Sequence, residues 1–277
     1  NMYEDMPKRK VQDLFLELLY GDQPAGWDVG GRKEIIRTLT REDIIKYRGA
    51  HYVAKATTIV VAGNFDEKET LANIEKFFAH ISTDKKEGKE KTKESQKKPG
   101  ILVRHKESDQ THLVLGVRAY DAYNPKKYAL DVLADILGGG MSSRLFQKVR
   151  EELGAAYYVR ASTDLYTDHG SLSVSAGVDH QKLDQVLEAT LGEFKKMAAG
   201  DLTDAEVRRA KDHLTGKFLL GLETSDSLAT FYGGQEILDD EIKTPEETIQ
   251  AVNDVKKDEI VEIAKEIILN SLKSVAF

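Results

Sequence analysis

The sequence contains 277 residues, of which 40% are hydrophobic and 31% charged, and it has a formal net charge of −7 and no cysteine. The length exceeds one typical domain of about 100–200 residues. The negative charge disfavours a nucleic-acid backbone as the main partner, and no apolar run approaches the roughly 20 residues that span a bilayer. Without cysteine there are no disulfides and no thiolate-bound metal. We expect no nucleic-acid partner and no membrane span. Cysteine content says little about compartment, and we favour a cytoplasmic location.

Both ends of the sequence have the features of cuts through a longer protein. Residues 1–7 lack the basic-then-apolar pattern of a signal peptide, and the first Met stands second. Ser274–Phe277 has the character of a strand, yet no turn follows it. We therefore expect a longer parent protein.

Helical and strand patterns alternate before residue 82. Apolar residues recur on one helical face over residues 11–19, and the Thr40–Asp43 capping box begins a second helix. Thr57–Ala62 is β-branched and apolar, which is typical of a buried strand, and residues 71–78 predict another helix.

A charged segment without apolar side chains separates this region from the rest. Ser82–Lys98 has nothing to bury, so it cannot offset the entropy of its own ordering, and it predicts a solvated linker. The alternative is an exposed helix with paired charges, against which Gly88 and a following Pro-Gly pair count. The sequence thus predicts domains at residues 1–81 and 99–277.

The region after the linker combines neighbouring strand patterns with helix patterns. Predicted strands cover residues 101–105, 112–120, 156–162 and 171–177. Predicted helices cover residues 126–137, 144–153 and 183–197, a segment from 203 onward, and 258–269, with Ser142 or Ser143 as the N-cap of the second. Adjacent strands mixed with helices predict an α+β fold of packed layers.

A weak internal repeat relates the two regions at one constant offset. The matching residues are Ile36, Leu39, Glu42–Ile45 and Thr58–Val60 in the first copy, and Val252, Val255, Asp258–Val261 and Ser274–Ala276 in the second. Both copies have an acid-capped helix followed by a β-branched strand. The match favours two homologous units, the first without its beginning, although two generic αβ units would also produce it.

The histidines do not have the spacing of a zinc site. No two of the seven lie three or four residues apart, and neither H-E-x-x-H nor the inverted H-x-x-E-H occurs. We expect each histidine to be an ordinary polar side chain.

A glycine-rich loop, Gly138–Ser143, precedes a predicted helix, where backbone N–H groups can cradle an anion. A nucleotide-binding loop needs a Lys before its Ser, and Met141 stands there instead. A flexible turn with a helix cap is the simpler interpretation. A phosphate-binding αβ protein would need a basic residue beside the loop, and only Arg144 is available.

The helix after this loop ends near Arg150, and Tyr157 begins the next predicted strand after the Gly154 stop. A tight helix-to-strand reversal can bring the two side chains close together. A guanidinium and a phenol supply hydrogen-bond donors suited to a carbonyl or its oxyanion. Without further context, the simpler interpretation is that Arg150 is a solvated helix residue and Tyr157 a strand residue.

The run from Leu137 to Tyr157, LGGGMSSRLFQKVREELGAAY, resembles the second-domain signature of insulysin/pitrilysin-type zinc peptidases, GGG-SSRLF----RE--GLAY, with Ala155 in place of the usual Leu. Upstream, four segments resemble the latter part of the first domain of that family: Met2–Pro7, Tyr20–Gly26, Thr40–Ile44 and His51–Asn64. The resemblance covers essentially the whole chain.

This resemblance implies a two-domain clamshell of homologous α/β sandwich units that encloses an extended peptide, with the first unit incomplete here. It implies a zinc metalloendopeptidase whose metal ligands are an H-x-x-E-H helix and a later Glu, all absent from this chain. Glu4 falls just past the expected ligand position and is not assigned as a ligand. The residues that carry over are Arg150 and Tyr157, which in the family hold the substrate backbone and stabilise the tetrahedral intermediate.

The resemblance also implies partners and a cofactor. Zinc is expected in the complete enzyme and none in this chain alone, which should be inactive. The expected partners are a peptide or unfolded protein substrate, and the missing N-terminal zinc-binding half or a homologous subunit. The alternative is a non-catalytic family member, acting as a partner subunit or a peptide-binding module.

Overall fold

The computed structural model describes residues 5–85, 88–94, 96, 98–239 and 241–269. Glu4 and the strand expected at Ser274–Phe277 lie outside these ranges. Contacts divide the chain into two units. The sheet unit comprises residues 1–28, 92–217 and 245–277, and the helical unit comprises residues 29–91 and 218–244.

The sheet unit contains a three-stranded antiparallel sheet. Its strands are β1 (Thr111–Ala119), β2 (Ala156–Leu165) and β3 (Gly170–Val178), in the order β1-β3-β2. Its helices are α1 (Pro7–Tyr20), α5 (Lys127–Gly138), α6 (Leu183–Ala199), α7 (Asp204–Leu220, of which residues 204–217 belong here), α9 (Pro245–Asp254) and α10 (Lys257–Ile263). It also contains two π-helical segments, Phe146–Glu152 and Ala264–Leu269, and two short 3-10 helices, Pro24–Gly26 and His180–Lys182. The α+β fold predicted from the sequence is confirmed for this unit.

One face of the sheet forms the main hydrophobic core. Leu172, Val174, Ala176 and Val178 of β3 are fully buried at every second position, as expected for a strand with one core face. They lie in one cluster with apolar side chains of α5, α6 and α10, including the fully buried Leu133, Phe194 and Ile260. This cluster positions the strands that carry the candidate site.

Helix α1 covers the opposite face of the sheet. Phe15 and Leu19 pack with Val114, and the ring of Phe15 lies over Gly116, where a Cβ would be 2.5 Å from Cζ. A side chain at position 116 would displace the helix. Proline begins α1 at its first position, and Gly21, with φ of 71°, ends it.

The helical unit contains α2 (Lys33–Thr38), α3 (Arg41–His51), α4 (Glu67–Phe78) and α8 (Ser225–Leu238). The predicted capping box of α3 is confirmed: the Asp43 backbone N–H donates to Thr40 Oγ1, and the Thr40 N–H donates to Asp43 Oδ2. Large apolar side chains of this unit are exposed, among them Ile35, Ile36, Leu39, Ile44, Ile45, Phe77 and Phe78. Within the described residues, the unit therefore has little hydrophobic core.

Two predicted strands are wrong. Thr57–Ala62 and residues 101–105 have no strand pairing in the structure, and the predicted burial of the first also fails, since Val61 is 43% exposed. β-Branched composition favours an extended backbone, but a strand also requires a partner. Neither segment has one within the described part of the chain. Ser143 immediately precedes the next helix, as predicted for a cap: its backbone carbonyl accepts from the Gln147 N–H, and its hydroxyl donates back to Gly140 O.

Close packing explains the first glycine of the Gly138–Gly140 run. A Cβ on Gly138 would lie 2.2 Å from the backbone N of Ala161 in β2. Helix α5 therefore ends in direct contact with the strand that carries Tyr157.

We predict that Gly138→Ala destabilises the protein by about 1–3 kcal/mol, because the new methyl group must push α5 away from β2. Gly192 in α6 is the matched control, since a Cβ there meets nothing within 4 Å. Gly192→Ala should stabilise the protein by up to about 1 kcal/mol through helix propensity. Urea unfolding of both variants measures the difference, and equal midpoints would contradict the packing argument.

Candidate functional site

Arg150 lies on the exposed side of the π-helical segment Phe146–Glu152. Leu145 and Val149, four residues apart, are fully buried and anchor the opposite side to the core. The guanidinium carbon of Arg150 lies 5.0 Å from the ring centroid of Phe146, a cation–π distance. The segment is followed by Gly154, with φ of 54°, which allows the chain to turn into β2.

Tyr157 is the extra residue of a β-bulge. Ala156 pairs with Val178 and Tyr158 pairs with Gly177, so Tyr157 has no partner in β3. Ala156 and Val159 both contact the core, whereas Tyr157 is 60% exposed. Strict alternation would have placed Tyr157 on the same face as Val159, inside the core. The bulge turns the phenol to the solvent side, as bulges beside functional sites commonly do.

Arg150 and Tyr157 are therefore both held by buried neighbours and both exposed. Within the described part of the chain, neither side chain makes a hydrogen bond or an ion pair. Their donors are available to a ligand. Convergence of the two side chains on one cleft stays a prediction.

The described residues do not fit a zinc ion. They contain no group of three or more His, Asp or Glu side chains arranged to hold a metal. Several histidines instead contact protein groups: His112 bonds to Tyr158, His180 to Thr111, and His213 to Asp135.

The glycine-rich loop is closed by its own contacts. Gly140 O accepts hydrogen bonds from the backbone N and the hydroxyl of Ser143, at 3.0 and 2.6 Å. The carboxylate of Asp135 occupies the space where a Cβ of Gly139 would lie. These contacts favour a structural turn over an anion cradle.

Arg144, the basic residue that an anion site would need, is bound to carboxylates. Its Nε donates to Glu206 Oε1 at 2.6 Å and its Nη2 to Glu206 Oε2 at 3.1 Å. Nη1 contacts Glu193 at 3.4 Å, and Nη2 also donates to Asp201 O. Arg144 thus links the start of this helix to α6 and α7, and the phosphate-binding alternative loses its cation.

The same network lowers a pKa. Burial alone would raise the pKa of Glu206, but hydrogen bonds from Arg144 and Thr203 outweigh it and lower the pKa to about 2. Since this value is below the usual 4.5, the stabilisation is complete above pH 4.5 and is lost as pH falls toward 2.

We predict that Arg144→Ala destabilises the protein at neutral pH by about 3 kcal/mol, because it leaves the largely buried carboxylate of Glu206 without its cation. The deficit should shrink below pH 4.5, because the Glu206 carboxylate then takes up a proton in the unfolded chain while the folded wild type still holds it charged. Urea unfolding at about pH 7 and pH 3 measures it, with Arg41→Ala as a control because the Arg41 side chain is 80% exposed. A deficit independent of pH would contradict the role of the ion pair.

Comparison with known proteins shows the family. Residues 38–214 match the family model described as the peptidase M16 inactive domain. The chain is 31% identical over 270 residues to an uncharacterized zinc protease of Mycobacterium leprae, covering 96% of this chain and 61% of that protein. It is 32% identical over 267 residues to an uncharacterized zinc protease of Bacillus subtilis, covering 96% of this chain and 64% of that protein.

A solved structure shares the fold. The crystal structure of a protease from Helicobacter pylori superposes with a TM-score of 0.86 at 21% identity, covering 96% of this chain and 65% of that one. The chain thus spans less than two thirds of the length of the relatives it matches. No described helix is long and apolar enough to cross a membrane. The resemblance found in the sequence is confirmed: the chain belongs to the pitrilysin/insulinase-type peptidase M16 family and lacks the zinc motif.

Proposed function

We propose that this chain is part of a zinc-dependent endopeptidase and supplies the substrate-binding and transition-state-stabilising half of its site. The zinc half lies outside this chain. The observation that carries the proposal is the bulge at Tyr157, which exposes a phenol that strand alternation would bury. Relatives named zinc proteases support the reaction class.

In this proposal the chain contributes hydrogen-bond donors. The Arg150 guanidinium and the Tyr157 hydroxyl donate to the backbone carbonyl of a bound peptide and to the oxyanion that develops when that carbonyl is attacked. Donors held in place before the reaction lower its barrier because they need no reorganisation as charge develops. The buried Val149 and the bulge supply that fixed placement. Zinc, when bound by the complete enzyme, would activate water and polarise the carbonyl.

We also propose that residues 29–81, the part of the helical unit before the linker, belong to an incomplete first domain that is homologous to the second. The helices α3 and α10 begin in the same way: the Thr40 N–H donates to Asp43, and the Lys256 N–H, at the repeat-equivalent position, donates to Glu259. Equivalent acid caps support the sequence repeat.

Burial differs between the two copies. Val255 is 7% exposed and Ile260 is fully buried, whereas their equivalents Leu39 and Ile44 are 52% and 61% exposed. In the sheet unit, α5 and α6 cover Ile260. Apolar surface of this size is costly in water, so the first copy requires corresponding elements to cover it. Residues that the relatives have and this chain does not span are the proposed cover.

The proposed domains are residues 1–81 and 99–277, joined by a linker at 82–98 and arranged as a clamshell around an extended peptide. The end of that linker is anchored. The Thr92 N–H donates to Asp168, and Lys93 N and O both bond to the amide of Gln23. Flexibility in the linker should therefore end before Thr92. A cytoplasmic location and a peptide or unfolded protein substrate belong to the same proposal.

The second candidate function is a non-catalytic partner subunit or peptide-binding module. The matched family description of an inactive domain favours it. The residues encoded before position 1 discriminate between the two. An intact H-x-x-E-H helix there supports the enzyme, and a degenerate one supports the partner subunit.

We predict that in the complete enzyme Arg150→Ala or Tyr157→Phe lowers kcat by about 10²–10³-fold, the scale for losing one oxyanion donor. The melting temperature should barely change, because both side chains are exposed and neither makes a hydrogen bond in the described part of the chain. Arg41→Ala and Tyr123→Phe are matched controls, at 80% and 50% exposure. If either site variant unfolds the protein while its folded fraction turns over normally, the pair is structural and the proposal fails.

A further inference from the structure

A row of three paired residues crosses all three strands beside the bulge. In the pairing register, Gly177 of β3 lies between His112 of β1 and Tyr158 of β2. The Tyr158 hydroxyl and His112 Nδ1 are hydrogen bonded at 3.0 Å, and the two rings stack with centroids 5.9 Å apart. The two edge strands are thus joined over the top of the central one.

Gly177 makes this contact possible. A Cβ at position 177 would lie 2.4 Å from Cε1 of Tyr158, so any larger residue would lift the ring off the sheet. The ammonium of Lys8 in α1 lies over the same ring, 4.4 Å from its centroid. Tyr158 is therefore clamped between the central strand and the helix that covers it.

Both partners of the hydrogen bond stay neutral near neutral pH. Burial raises the pKa of the Tyr158 hydroxyl to about 12. Burial, and then the charge of Lys8, lower the pKa of His112 below its usual value. A neutral imidazole and a neutral phenol form a bond that needs no counterion.

The contacts that hold Tyr158 also affect Tyr157, the neighbouring residue of the proposed site. Tyr157 is the unpaired residue between Ala156, which pairs with Val178, and Tyr158, which pairs with Gly177. With Tyr158 held opposite Gly177 and Ala156 held opposite Val178, the backbone between them has no freedom to shorten into regular pairing. Tyr157 must then point away from the core.

We infer that His112 and Tyr158 are positioning residues, which hold the β-bulge and thereby the orientation of the Tyr157 phenol. The structural part of this inference stands on the contacts alone. Its consequence for turnover rests on the proposed function. Neither residue is proposed to touch the substrate.

The structural part is tested on the 277-residue chain by hydrogen exchange of the backbone amides of residues 155–160. Tyr158→Phe keeps the ring over Gly177 and removes only the hydroxyl, and His112→Leu removes its partner. Both should speed exchange in this segment, while residues 161–165 of β2 exchange as in the wild type. His112→Gln, whose amide can still bond to the hydroxyl, should restore slow exchange. Unchanged exchange in both Tyr158→Phe and His112→Leu overturns the inference.

The functional part is tested in the complete enzyme by a double-mutant comparison. Tyr158→Phe should lower kcat roughly tenfold through a misplaced donor, with KM within about twofold. In a Tyr157→Phe background it should cause no further loss, because it acts only through Tyr157. The positioning role is overturned if Tyr158→Phe lowers kcat equally in both backgrounds. It is also overturned if Tyr157→Phe lowers kcat but Tyr158→Phe does not. If Tyr157→Phe has no effect, the proposed function fails instead, and hydrogen exchange alone decides whether the pair holds the bulge.

Discussion

The central strand β3 is hydrogen bonded to a neighbour along both edges, and its register determines where the candidate site residue Tyr157 lies. Its four apolar residues on the core face are fully buried, and a shift by one residue would move all of them out of the core and turn serines such as Ser171 and Ser173 into it. With β3 fixed, the pairing of β2 leaves one residue too many between Val178 and Gly177. That residue is Tyr157. Exposure of the phenol thus follows from core packing and from the one extra residue that β2 has relative to β3 at this point.

One short helix carries two arginines with different tasks. Arg144 is held by Glu206 and Glu193 and stabilises the packing of α6 and α7. Arg150, six residues later, lies on the exposed side with its donors uncommitted in the described part of the chain. The signature motif therefore contains structural residues, among them Gly138 and Arg144, as well as the pair proposed to bind substrate. A guanidinium at position 144 serves packing, and a guanidinium at position 150 serves the proposed substrate binding.

Periodicity in the sequence was sufficient for most elements of the sheet unit. Alternation predicted β3 because its core face is Leu, Val, Ala and Val, and apolar helix faces predicted α5 and α6 within one or two residues. The bulge was not predictable this way, because alternation assigns Tyr157 to the core. The strand predicted at Thr57–Ala62 failed for a different reason. Its apolar composition is typical of a strand buried beside a partner, and the described residues contain no such partner. The partners of Arg144 are distant in sequence, and no local pattern indicates them.

The central claim is that this chain holds only the donor half of a zinc peptidase site. Metal analysis and peptide cleavage after exhaustive dialysis test it most directly, on the 277-residue chain and on the parent protein that includes the preceding residues. We predict that the chain alone retains no stoichiometric zinc and cleaves no peptide, whereas the parent protein retains zinc and cleaves peptides. Tightly bound stoichiometric zinc in the chain alone, or cleavage by it, would contradict the account.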